Sequence, residues 1–82
     1  MHDVAIIRFF AQAREATGTR SATISGATVA EILENAVGLY GSSLGDVIAM
    51  SKVWVNGEEV PFSHAVGDND EVAVLPPVSG GL

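Results

Sequence analysis

The 82-residue chain contains no cysteine. That absence removes disulfides, thiolate metal ligands and a cysteine nucleophile together. Positive charge is nearly as scarce. Arg8, Arg14, Arg20 and Lys52 stand against 10 acidic residues, for a formal net charge of -6. Four scattered cations cannot form the stripe that neutralises a phosphate backbone, so no nucleic-acid partner is expected. The acidity favours solubility and docking onto a basic partner. No apolar run approaches the roughly 20 residues that a membrane-spanning helix needs, so no membrane partner is expected. The start, Met1-His2-Asp3-Val4, lacks the basic segment and small-residue cleavage site of a secretory signal, and the expected location is cytoplasmic. His2 and His64 have no neighbours at metal-ligand spacing, and Asp68 to Glu71 lacks the spacing of a calcium loop, so no metal is expected.

What is present is the composition of an ordinary small globule, 48% hydrophobic. A chain of this length makes one domain that buries a modest fraction of its surface. Residues 3–10 alternate as a strand. Ala5, Ile7 and Phe9 share one face, while Val4, Ile6, Arg8 and Phe10 share the other, which Arg8 marks as the wetter. The run breaks at 11–18, read as a turn in which Gly18 supplies a positive φ. A second strand over 19–25 points Ala22 and Ile24 inward.

The helix signal is the clearest in the chain. Thr28 is an N-cap with Glu31 three residues on, the pattern of a capping box, and Val29, Ile32, Leu33, Ala36, Val37 and Tyr40 follow as one apolar stripe. Gly41 ends it, with Gly38 as an earlier possible stop. Residues 42–50 read as a loop with at most one helical turn. Gly41-Ser42-Ser43-Leu44-Gly45 has the Gly-x-Ser-x-Gly pattern of a hydrolase elbow, but the elbow needs a strand before it and here a helix precedes it.

A third strand over 51–56 sets Val53 and Val55 opposite to Lys52 and Trp54. Asn56-Gly57 is a two-residue hairpin turn leading to a short return strand over 58–60. After a turn at 67–70 the last strand runs over 71–75. Pro76 and Pro77 then forbid further ladder bonding and hold the chain extended.

The order strand, strand, helix, strand, short strand, strand predicts an α+β fold. Specifically, it predicts a ubiquitin-like β-grasp: a mixed sheet of about five strands with one main helix on one face. The domain is expected to span 1–77, followed by a flexible tail over 78–82 that bears Gly80-Gly81. In such a sheet the first, last and third strands lie side by side. Phe10, Trp54 and Leu75 then cluster on the face away from the helix, beside Arg8, Lys52 and Glu71. A clustered apolar patch there is expected to be a partner interface, unless the 61–66 loop folds over it.

Two segments resemble a known family. Phe9-Phe10-Ala11-Gln12-Ala13-Arg14-Glu15-Ala16-Thr17-Gly18 and Asp70-Glu71-Val72-Ala73-Val74-Leu75-Pro76-Pro77-Val78-Ser79-Gly80-Gly81 are similar to the start and end of the small, sulfur-carrying subunits of molybdopterin synthase. The resemblance implies a protein that is no enzyme by itself and holds no cofactor. It would donate sulfur from a thiocarboxylate on Gly81 to a cyclic pyranopterin. An E1-like adenylating enzyme would activate that carboxylate with ATP, and a sulfur donor would displace AMP. Pro76, Pro77, Val78, Ser79 and Gly80 would form the part of the tail inserted into the large subunit, in an expected heterotetramer of two small and two large subunits.

The resemblance also implies Phe10 and Leu75 as contacts for the large subunit and the activating enzyme, whereas Trp54 rests on strand alternation alone. Glu59 departs from the family, where an apolar residue is usual. Arg14, Glu15 and Gly18 are read as turn residues without a chemical role. Leu82 is a second departure, since relatives end at the second glycine. It is expected to be a processing site or a residue left by expression, and a carrier that is inactive or that tolerates Leu82 is the remaining alternative. A thiamine-pathway sulfur carrier, a ubiquitin-like protein modifier and a binding module whose tail never reacts remain open alternatives.

Overall fold

Alternation along the strands and the spacing of one helix account for the sheet and its main helix. In the computed structural model, which describes residues 4–77, β1 (Val4–Phe9), β2 (Ser21–Ser25), β3 (Lys52–Val55), β4 (Glu58–Glu59) and β5 (Glu71–Leu75) form one sheet in the order β2-β1-β5-β3-β4. The central pair β1 and β5 is parallel, and every other pair is antiparallel. This is the expected β-grasp sheet, with β1, β5 and β3 adjacent.

One face of the sheet is covered by helix α2 (Val29–Tyr40). Thr28 accepts a hydrogen bond from the Glu31 amide at 3.2 Å, and the Glu31 carboxylate accepts one from the Ala27 amide at 2.8 Å. The capping residues therefore satisfy two amide donors at the helix start. Val29, Ile32, Leu33 and Ala36 are buried against Ala5, Ile7, Phe9, Ile24, Val53, Val55, Val72 and Val74 in one core. Val37 is only partly buried at its edge, and Tyr40 stacks edge-on to Phe9 with ring centroids 5.6 Å apart. The Asn56-Gly57 turn has φ values of 51° and 89°, the positive pair that a tight hairpin requires.

Two segments read as irregular are helical. Residues Gln12–Thr17 form α1 and Ser42–Ala49 form α3. Helix α1 is too short to display a 3.6-residue period. It ends at Gly18, whose φ of 75° is the left-handed cap expected of that glycine. Helix α3 has no side-chain cap and buries only Leu44 and Ile48, one turn apart. It packs against both α1 and α2, and that tertiary contact stabilises a segment whose own propensity is poor. The core accordingly gains Ala13, Leu44, Ile48 and Val66 beyond the residues expected from sequence.

The loop over 60–66 lies on the helix side. Its His64 and Phe62 carbonyls accept from the amides of Val29 and Ala30 at 2.9 and 2.8 Å, and the Val66 amide donates to the Ala27 carbonyl at 3.0 Å. The loop thus completes the start of α2 and does not fold over the opposite sheet face. No helix among the described residues is long and apolar enough to cross a membrane.

Candidate functional site: the open face of the sheet

Strand register decides which side chains meet on the uncovered face. Ile6 lies beside Glu71, Arg8 beside Ala73, Ala73 opposite Trp54, and Leu75 opposite Lys52. Phe10 follows Phe9, which pairs with Val74, so it stands one residue beyond the end of that ladder. Strand β1 stops there because Ala11 turns the chain with φ 51° and ψ -124°, a conformation that glycine adopts more readily than alanine. The Ala13 amide then donates to the Phe10 carbonyl at 3.0 Å and starts α1. Phe10 is left 42% exposed and Ile6 37% exposed, while Trp54, Ala73 and Leu75 are half-buried. The register thus puts Trp54 and Leu75 of the expected patch on two neighbouring strands, and Phe10 lies just past the end of β1. Ile6 and Ala73 extend the same surface, and the period-2 pattern already placed Ile6 on that side.

Charge on this face is locally balanced. The Arg8 Nε atom lies 2.6 Å from Glu71 Oε2, and the Lys52 ammonium lies 3.5 Å from Glu59 Oε2. Both pairs are largely solvated and contribute little to stability. Their consequence is that two of the four cations sit paired at the border of the apolar surface. Glu59 is thus the partner of Lys52.

At the β5 start, hydrogen bonds replace apolar contact. Asp70 accepts from the Gly67 amide at 2.9 Å and from the Asn56 side-chain amide at 3.0 Å, while Asn56 Oδ1 accepts from the Glu71 amide at 3.0 Å. These donors, the Gly67 amide first and Asn56 second, hold the Asp70 carboxyl below its ordinary value. A charge interaction with His64 adds to the effect and slight burial opposes it. Asp68 accepts from the Val4 amide at 3.0 Å. This acidic turn ties β1, β5 and the β3–β4 hairpin together.

The sheet delivers the chain to the tail at its other end. Leu75 closes β5 beside Lys52, Pro76 is half-buried and Pro77 is exposed. Val78, Ser79, Gly80, Gly81 and Leu82, the tail positions assigned from sequence, lie outside the described residues. Ser43, the central residue of the elbow-like pattern, is an exposed residue of α3 with α2 before it, so the pattern is not an elbow.

Residues 7–81 match the model of the ThiS family. The chain is 37% identical over 78 residues to the molybdopterin synthase sulfur carrier subunit of Arabidopsis thaliana, covering 92% of this chain and 80% of that protein. Among solved structures it is similar to small archaeal modifier protein 1 of Methanosarcina acetivorans, with a TM-score of 0.87, 27% identity and 99% of each chain covered. It is also similar to SAMP1 of Haloferax volcanii, with a TM-score of 0.84, 30% identity, and 95% of this chain and 99% of that one covered.

Proposed function

Because the chain belongs to the ThiS family, we propose that it is a sulfur carrier, the small subunit of a molybdopterin synthase, and that Gly81 is the residue that carries the sulfur. The family match runs through Gly81, so the resemblance includes the tail and is not a likeness of the globular fold alone. That observation carries the reading, and the identity to the plant sulfur carrier subunit supports the molybdopterin branch.

The chemistry follows from what a carboxylate is. At neutral pH it is a poor electrophile. Hydrolysis of the Gly81–Leu82 peptide bond first frees the Gly81 carboxylate, which a partner enzyme then joins to the AMP part of ATP with release of pyrophosphate. A hydrosulfide equivalent from a sulfur donor then attacks the carbonyl carbon, and AMP departs with one carboxylate oxygen. The product is a thiocarboxylate, whose sulfur attacks a carbon of a cyclic pyranopterin in the large subunit's pocket and displaces an oxygen substituent; water then hydrolyses the acyl–sulfur bond, which leaves the sulfur on the pterin and returns the Gly81 carboxylate. Confinement in that pocket makes the attack effectively intramolecular.

Gly80 and Gly81 have no side chains to obstruct a narrow channel. Pro76 and Pro77 restrict the tail's conformations and lower the entropy lost on insertion. The open face, with Phe10, Trp54 and Leu75, holds the large subunit and the activating enzyme in turn while the tail reacts.

The test is an intact-mass measurement. A chain ending at Gly81 is incubated with ATP, the activating enzyme and the sulfur donor, and it should gain about 16 Da as one oxygen is replaced by sulfur. No gain, or an equal gain in a chain from which Gly80-Gly81 has been deleted, overturns the assignment.

Likeness to the two small archaeal modifier structures favours a second reading, in which activated Gly81 is transferred to a lysine amine of another protein. Higher-mass conjugates of an epitope-tagged chain in cell extract distinguish it. They form under transfer and are absent under sulfur carriage alone.

A further inference from the structure

On the helix side of the molecule, away from the open sheet face, lies a second apolar surface. Helices α2 and α3 leave between them a shallow groove of about 400 Å³, lined by Leu33, Val37, Ile48 and Phe62 among others. Phe62 belongs to the loop that completes the start of α2, and 40% of its surface remains exposed. Glu34 is the one charged residue among those lining the groove.

The two helices that form the groove carry charge of one sign. Between residues 21 and 51 the chain has no Lys or Arg, so α2 and α3 carry Glu31, Glu34 and Asp46 and no cation. The four cations lie elsewhere: Arg8 and Lys52 in ion pairs on the sheet, Arg14 in α1, and Arg20 just before β2. An apolar floor takes apolar anchors, and Glu34 at the groove on helices without a cation favours cations beside those anchors and disfavours acidic segments.

We propose that the α2–α3 groove docks a partner protein through an amphipathic segment whose apolar side chains are flanked by lysine or arginine. The groove and the open sheet face lie on opposite sides of the sheet, so a partner in the groove does not compete with one on the face. The inference does not depend on sulfur chemistry, and neither failure entails the other.

A titration of the isotope-labelled full chain tests it, using a synthetic helix-forming peptide of leucine and lysine. The same peptide with glutamate in place of lysine is the control. Amide shifts are expected at Leu33, Val37, Gly45 and Ile48, with Arg8, Trp54 and Ala73 unmoved.

Glu34 is exposed, so Glu34→Lys leaves the core intact, and it should weaken binding about tenfold. A Cβ added at Gly45 meets the Val37 methyl carbons at 3.7 Å, an ordinary contact, so Gly45→Met starts without a clash and adds side-chain bulk at a groove-lining position. It should weaken binding with an unchanged circular dichroism spectrum. Shifts spread over all acidic residues, shifts centred on the sheet face, equal binding of the glutamate peptide, or undiminished binding by both folded variants would each overturn the proposal.

Discussion

On β1 the inward residues Ala5, Ile7 and Phe9 are at most 2% exposed, whereas Ile6 and Phe10, equally apolar and interleaved with them, are 37% and 42% exposed. The strand is the same and its neighbours in the sheet are the same. What differs is cover: α2 and α3 pack on one face, and among the described residues nothing packs on the central strands of the other. Hydrophobicity therefore does not by itself assign a residue to the core. Apolar area covered within the chain stabilises the fold, and apolar area left clustered and open is available to a partner.

Three measurements can break or sharpen this contrast. The largest effect is expected on the covered face. Ile32 is fully buried in the core, and Ile32→Ala should cost roughly 2–5 kcal/mol in chemical denaturation, through lost burial and the cavity left behind. A loss under about 0.5 kcal/mol is a surface-like result and would contradict the packing.

On the open face the expected effect moves from folding to association. Phe10→Ala and Leu75→Ala should each weaken binding to the large subunit by about 1–2 kcal/mol in calorimetric titration, with normal circular dichroism. Unchanged affinity in both variants would remove the face from the proposed interface.

The smallest effect belongs to the turn that fastens the β5 start. The Asp70 carboxyl is held below 3.8, so its charged form stabilises the fold above that pH, and the contribution disappears as pH falls through the lower folded value. The melting-temperature gap between the natural chain and Asp70→Asn should accordingly shrink as pH drops below about 3.8. A gap that widens on acidification would mean that Asp70 is not stabilised in its ionised form.

How much of this was legible depends on how local each signal is. Thr28 and Glu31 announce the start of α2 because capping bonds span only a few residues. The strand faces, with Ala5, Ile7 and Phe9 inward and Ile6 and Arg8 outward, were also readable, since strand alternation is strictly periodic. Helix α3 was not. Ser42, Ser43 and Gly45 are weak helix formers, and Leu44 and Ile48 are too few to define a stripe. The groove beside α3 was hidden with it, and so was the path of the 60–66 loop, which depends on backbone bonds to residues more than 30 positions away.

The sequence by itself determined the strand faces, the capped helix, the hairpin at Asn56-Gly57 and the family, because periodicity, side-chain capping and motif spacing act over short separations. Tertiary structure alone decided that 12–17 and 42–49 become helices, that the loop supports α2 and leaves the sheet open, and that Glu59 pairs with Lys52. Each of these depends on contacts that exist only after distant segments pack. Their stability comes from the burial and hydrogen bonding that the assembled core supplies, which no local propensity encodes.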